Sequence, residues 1–134
     1  MSALDTNILI RWLTNDDPQQ SAIVARLFDE TSRQGERLFV TVTVMLEVEW
    51  VLRARYRYDR HQVTAALNVL LDTTELEFQM EPALEQALWL FKQEGSRDFA
   101  DCLHIALTSQ SERKPFLTLD ERASKIEGAQ LLRS

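Results

Sequence analysis

Met1-Ser2-Ala3-Leu4-Asp5-Thr6-Asn7-Ile8-Leu9-Ile10 opens the chain. Four apolar or small residues close on an aspartate, and a Thr-Asn pair then leads into an apolar run. The pattern reads as a short strand that ends at Asp5 and a helix that starts immediately after it. The same pattern returns far along the chain, where Phe116-Leu117-Thr118-Leu119 closes on Asp120. A third acid, Asp101, stands at the head of the helical segment Asp101-Cys102-Leu103-His104-Ile105-Ala106-Leu107. In an open α/β sheet the strand C-termini meet along one edge, and sites form there. Acids delivered to that edge from distant parts of the chain are expected to crowd together.

Between these junctions, strand-like and helix-like segments alternate. Asp17-Pro18 supplies an N-cap and a first-turn proline. Ile23, Val24, Leu27 and Phe28 carry that helix to about Arg33, and Gly35 ends it. Leu38-Phe39-Val40 reads as a strand, and Thr41 or Thr43 caps a helix running to about Arg55. Asp59 caps another, with Val63, Ala66, Leu67 and Leu70 on one face. Leu76 to Phe78 is a further strand, and Glu81-Pro82 starts a helix that gathers Ala83, Ala87, Leu90 and Phe91 and stops near Gly95. The next helix starts at Asp98 or a neighbour and runs to about Ser109. Phe116–Leu119 is a strand, Asp120 opens a short helix, and Ala129–Leu132 supplies an edge strand. This alternation predicts an α/β fold: one domain over residues 1–134, with a central parallel sheet of about five strands flanked by helices on both faces.

A chain of 134 residues, 45% hydrophobic and 27% charged, has an ordinary globular composition. No apolar run approaches the roughly 20 residues of a membrane span. The N-terminus lacks a basic segment followed by an apolar core, so no signal peptide is expected. One cysteine, Cys102, excludes an internal disulfide framework and reads as a small core residue. These features place the protein in the cytoplasm. The net charge of −6 argues against a protein that coats nucleic acid, which needs Lys and Arg, but leaves a nuclease open.

The acids carry the chemistry. Crowded carboxylates repel unless a cation or a shared proton compensates them, so a divalent-metal site is the leading reading. Asp5 and Asp120 each also fit a plain helix-cap role. Glu47 lies in Val44-Met45-Leu46-Glu47-Val48-Glu49-Trp50-Val51-Leu52, where helical spacing sets it beside Val44, Trp50 and Val51 toward the buried side. A buried carboxylate needs a partner. Glu49 reads as solvated. Asp98 and Asp101, three apart, share a helix face; one caps and the other ligates, or both face a metal.

These pieces resemble the PIN-domain family, and specifically the VapC-like toxins of bacterial type II toxin–antitoxin pairs. The resemblance rests on Leu4-Asp5-Thr6-Asn7-Ile8-Leu9, Leu46-Glu47-Val48-Glu49-Trp50-Val51-Leu52, Asp98-Phe99-Ala100-Asp101-Cys102-Leu103 and Thr118-Leu119-Asp120-Glu121-Arg122-Ala123, in the family's order and spacing. It implies a Mg²⁺- or Mn²⁺-dependent endoribonuclease whose catalytic quartet is Asp5, Glu47, Asp101 and Asp120. Asp5 and Asp101 would be the core metal ligands, Glu47 and Asp120 would complete the site, and Asp98 is an added acid. The stretch Asp101-Cys102-Leu103-His104-Ile105-Ala106 departs from the family's frequent Asp-Ala-Leu-Ile-Ala-Ala form, which raises the question of whether His104 touches the site. The resemblance further implies a structured RNA substrate (a tRNA or an rRNA loop), a cognate antitoxin and a homodimer.

Around this set, Thr6, Asn7 and Thr118 either orient the carboxylates or serve as caps and turn residues. Arg53-Ala54-Arg55-Tyr56-Arg57-Tyr58-Asp59-Arg60 interleaves arginines with tyrosines. It either clasps phosphate and stacks on bases or ends a helix with charges that suit its dipole. Arg11 and Arg97 are further candidates for phosphate. Trp12, Trp50 and Trp89 fit core packing, a dimer interface or a groove for an antitoxin helix. Rival readings are a PIN-like nuclease in RNA processing or DNA repair, and a non-catalytic module that binds a basic partner through its acids. A phosphatase with an aspartyl nucleophile wants a second Asp two residues after the first, where this chain has Asn7.

Overall fold

Five of the six α-helices among the described residues start at a side chain that accepts a backbone N–H group, as a computed structural model describing residues 1–93 and 98–133 shows. Contacts divide the chain into two units, Met1–Gln79 and Met80–Ser134.

In the first unit, Asp5 caps α1 (Thr6–Leu13), Asp17 caps α2 (Pro18–Arg33), and Thr41 caps α3 (Val42–Ala54). Asp59 caps α4 (Arg60–Leu71) through a full capping box, with the Gln62 side chain reaching back to the Asp59 N–H. Gly35 ends α2 at φ 67°. There the Gly35 and Glu36 N–H groups donate to the Ser32 and Thr31 carbonyls, the paired closure that a left-handed residue allows. Strands β1 (Leu38–Val40) and β2 (Leu76–Phe78) pair in parallel, Leu38 opposite Leu76. Helix α1 packs on α2 and α3, and α4 packs on α3 and β2. Leu9, Ile10, Val40, Met45, Val48, Leu52, Leu67, Leu70 and Leu76 are buried.

In the second unit, α5 (Glu81–Lys92) packs along α6 (Phe99–Gln110), which Asp98 caps. Ala83, Leu84, Ala87, Phe91, Phe99, Leu103, Ile105 and Ala106 are buried, and the rings of Phe91 and Phe99 meet edge to face, 5.7 Å apart. Strands β3 (Phe116–Thr118) and β4 (Ala129–Leu131) pair in parallel across a short 3₁₀ turn, Ala123–Lys125.

The helices and strands fall close to the expected boundaries, but the expected sheet of about five strands does not form as such. Among the described residues there are two parallel pairs and one isolated bridge, Ala3 to Phe39. The N-terminal strand shrinks to that bridge because Thr6 is already helical, which leaves only Ser2 to Leu4 to pair with Phe39. The helix stop expected at Gly95 lies outside the described residues; α5 ends at Lys92. Among the described residues, no helix is long and apolar enough to cross a membrane.

Candidate functional site

Helix α3 has two working faces, and their separation defines the site. Met45, Val48, Glu49 and Leu52 recur at intervals of three, one and three, and all four are buried. Glu47, Trp50, Val51 and Arg55 recur on another face and line a cleft of about 280 Å³, together with Asp5, Thr6 and Asn7 from the head of α1. Asp5 arrives there because it is the N-cap of α1, and its carboxylate accepts from the Thr6 N–H at 2.7 Å. Thr6 is buried, and its hydroxyl donates to the Glu47 carboxylate. One threonine therefore holds both acids, Asp5 through its backbone and Glu47 through its side chain.

The expectations for the two glutamates of α3 are reversed in burial. Glu47, placed toward the buried side by helical spacing, is exposed at the cleft. Glu49, read as solvated, is the buried one, its side chain 2% exposed. Arg53 meets it with two N–H groups, at 2.8 and 3.4 Å. Because Glu49 lies one turn before Arg53, the pair has the favourable i, i+4 order that a sequence can show. The stripe formed by Met45, Val48 and Leu52 carries Glu49 inward.

The second unit holds the remaining acids. Asp98 accepts from the Asp101 N–H at 3.1 Å, so it acts as the cap of α6, with Asp101 half-buried in the first turn. Asp120 accepts from the Arg122 and Ala123 N–H groups at 2.8 and 3.3 Å, and its own N–H donates to the Thr118 hydroxyl at 3.0 Å. Within each unit, among the described residues, no three His, Cys, Asp or Glu side chains form a group that could hold a metal ion. The structure thus brings Asp5 to Glu47 in one unit, and Asp98 to Asp101 in the other.

The arginines separate by what they already hold. Arg11 contacts Gln20 at 2.7 Å, the Tyr56 hydroxyl at 3.1 Å and Asp16 at 3.5 Å. Tyr56 in turn donates to Asp16 at 2.8 Å, and Thr14 donates to it at 3.0 Å. The Tyr56 hydrogen bond, then that of Thr14 and the nearby charge of Arg11, hold the Asp16 carboxyl below its ordinary value. Arg53 serves Glu49, while Arg57 is exposed in the loop between α3 and α4, at φ 58°. Arg55 lines the cleft and lies 5.9 Å from the centroid of the Trp50 ring. Arg97 lies outside the described residues.

Several side residues also find their places. Cys102 is buried, as expected of a small core residue. His104 is exposed and stacks on Phe116 with ring centroids 5.9 Å apart. None of the tryptophans is a core residue: Trp12, stacked on Phe28, is 36% exposed, Trp50 47% and Trp89 54%. Trp50 is the cleft residue whose place sequence reasoning missed. Its signal was the spacing from Glu47, three residues on and so on the same helix face.

The groups lining the cleft that could ligate a cation are two carboxylates, a hydroxyl and the Asn7 side-chain amide. Such a set fits a hard divalent cation such as Mg²⁺ and offers nothing to a soft one. The sequence matches the PIN domain over residues 3–129. The chain belongs to the PIN domain family. A VapC ribonuclease from Aquifex aeolicus (strain VF5) is 26% identical over 127 residues, covering 94% of this chain and 92% of that protein. The PIN domain match spans both structural units, from Ala3 at the isolated bridge to Ala129 in β4.

Proposed function

We propose that residues 1–134 form a single PIN nuclease domain, a metal-dependent endoribonuclease that acts as the toxin of a type II toxin–antitoxin pair. The observation that carries this reading is the cleft at which Thr6 holds Asp5 and Glu47 together. Full-length similarity to a VapC ribonuclease supports it. Asp5, Glu47, Asp101 and Asp120 are the acids on which cleavage depends. Asp5 and Asp101 are the main holders of Mg²⁺ or Mn²⁺, and Asp98 supports Asp101 from its capping position. When bound, the cation makes water a better nucleophile and offsets charge gathering on the scissile phosphate.

The chain's own contribution is preorganisation. Asp5 is already bonded to an N–H and Glu47 to a hydroxyl, so neither carboxylate must be reoriented when substrate arrives. Asn7, exposed on the same wall, offers an amide that donates and accepts. Thr118 fixes the backbone of Asp120 through a hydrogen bond to its N–H. Of the arginines considered for phosphate, Arg55 is the one on the cleft wall among the described residues. The reading further includes a cytoplasmic protein, a cognate antitoxin and a homodimer. The exposed Trp12 and Trp89 are of the residue type enriched at such interfaces.

The test is incubation of total cellular RNA with purified, antitoxin-free protein in Mg²⁺ or Mn²⁺ against EDTA, alongside Asp5→Asn. Discrete fragments that need the metal and vanish in the variant are expected. Cleavage that survives in Asp5→Asn would contradict the reading.

A further inference from the structure

The cleft carries two features that acid chemistry does not require. Trp50 stands on its wall, 47% exposed, one helical turn from Glu47. Arg55 lies over the Trp50 ring at 5.9 Å, within the range of a cation–π contact, and it is the one basic side chain among the described residues lining the cleft. A tryptophan exposed to that degree leaves a large apolar surface in water, even with a guanidinium laid against it. The tyrosines that the sequence offers for stacking are engaged elsewhere: Tyr56 bonds Asp16 and Arg11, and Tyr58 sits edge-on to Tyr56 at 6.3 Å. The cleft therefore presents one aromatic platform, one cation and two carboxylates.

From this geometry we infer that Trp50 and Arg55 form a nucleotide-binding subsite: an unpaired base of the substrate strand stacks on Trp50, and Arg55 contacts a phosphate of the same strand. The inference rests on the nuclease reading above and specifies how that site recognises its substrate. Three arguments select this occupant. A volume of about 280 Å³ is close to the lower bound of small-ligand pockets, which suits a single splayed nucleotide. With a net charge of −6 and two acids at the cleft, non-specific attraction of phosphate contributes little, which gives base stacking and the local guanidinium the larger part in anchoring the strand. The guanidinium already beside the ring can follow a stacked base, because arginine and aromatic faces both pack against nucleobases.

The test separates this subsite from catalysis by measuring binding. The Asp5→Asn protein, with and without Trp50→Ala, is titrated into a fluorescent hexanucleotide of unpaired RNA and into its fully abasic counterpart, and anisotropy is read. Trp50→Ala is expected to weaken the base-bearing strand about tenfold or more and to leave the abasic strand unchanged, while Trp50→Phe recovers most of the loss. Arg55→Gln is expected to weaken both strands. In the otherwise wild-type chain, Trp50→Ala is expected to raise KM far more than it lowers kcat. Equal affinity of Trp50→Ala and its parent for the base-bearing strand would overturn the subsite, as would equal loss on both strands. If Trp50→Ala leaves RNA affinity intact and instead weakens a protein partner, the subsite is likewise refuted. Because binding is read without turnover, an inactive wild-type protein that still discriminates base from abasic strand would refute the nuclease reading and leave the subsite standing.

Discussion

Thr6 shows how much one side chain can settle. At the first position of α1 its N–H would have no partner within the helix, and Asp5 supplies one at 2.7 Å. Its hydroxyl would otherwise be a buried, unsatisfied donor, and Glu47 accepts from it. Thr6→Val keeps the shape and removes the hydroxyl. It is expected to lower kcat about 10- to 100-fold, the usual range for removing a residue that orients a ligand, while Thr6→Ser stays near wild type. A steady-state cleavage assay reads the difference. The structure moves the acidity of Asp16. Its folded-state pKa is depressed, first by Tyr56, so the stabilisation it gives is complete above the ordinary carboxylate value of 3.8 and is lost as pH falls through the lower folded-state value. Tyr56→Phe is therefore expected to be less stable than wild type at neutral pH, with the gap closing in strongly acidic buffer. Urea titrations at several pH values would show this.

At the scale of elements, caps were the legible part of the sequence. Asp17-Pro18, Asp59, Gly35 and the Asp98 start of α6 each act through a local rule, and each is where the residues placed it. The faces of α3 were harder to read. Apolar residues occupy Val44, Met45, Leu46, Val48, Val51 and Leu52, so periodicity alone does not say which side meets the core, and Glu47 and Glu49 exchanged places. Strand length was also hidden, because a three-residue strand has too few alternations to announce its pairing. Glycines offer a quantitative check. Gly35 and Gly128 both have positive φ, 67° and 100°, but an added Cβ meets nothing within 4 Å at Gly35. At Gly128 it meets Ile105 Cγ2 at 3.0 Å and Ser109 Oγ at 3.3 Å. Gly35→Ala is expected to cost about 1 kcal/mol from backbone strain alone. Gly128→Ala is expected to cost about 2–3 kcal/mol, since the Cβ also presses on α6. Thermal melts of the two variants would rank them.

For the whole molecule, charge was legible and its consequence follows directly. With a net charge of −6 and, among the described residues, one arginine at the cleft, few phosphates are expected to be neutralised on binding. The slope of log kcat/KM against log salt concentration is expected to be shallow, about −1, against the steep slopes of proteins that cover nucleic acid with many cations. A salt series at constant Mg²⁺ measures it. The positions of Asp5, Asp98 and Asp120 were legible because each accepts backbone N–H groups at the start of a helix or turn, whereas Glu47 lies in the middle of α3, where no such local rule marks it. The sequence could not carry the tryptophans. Whether a Trp is core or surface depends on which face of a helix is covered, and all three lie outward.

The central claim is that the exposed Glu47, and not the buried Glu49, performs the chemistry. The most direct measurement compares RNA cleavage and urea stability for Glu47→Gln and Glu49→Gln. Glu47→Gln is expected to stay as stable as wild type within about 1 kcal/mol, since the carboxylate is exposed, and to lose cleavage by at least about 100-fold. Glu49→Gln is expected to lower stability by about 1–3 kcal/mol, because it weakens a charge-assisted pair with Arg53, while its folded fraction cleaves at close to the wild-type rate. Full activity in Glu47→Gln, or a cleavage loss confined to Glu49→Gln, would contradict the account.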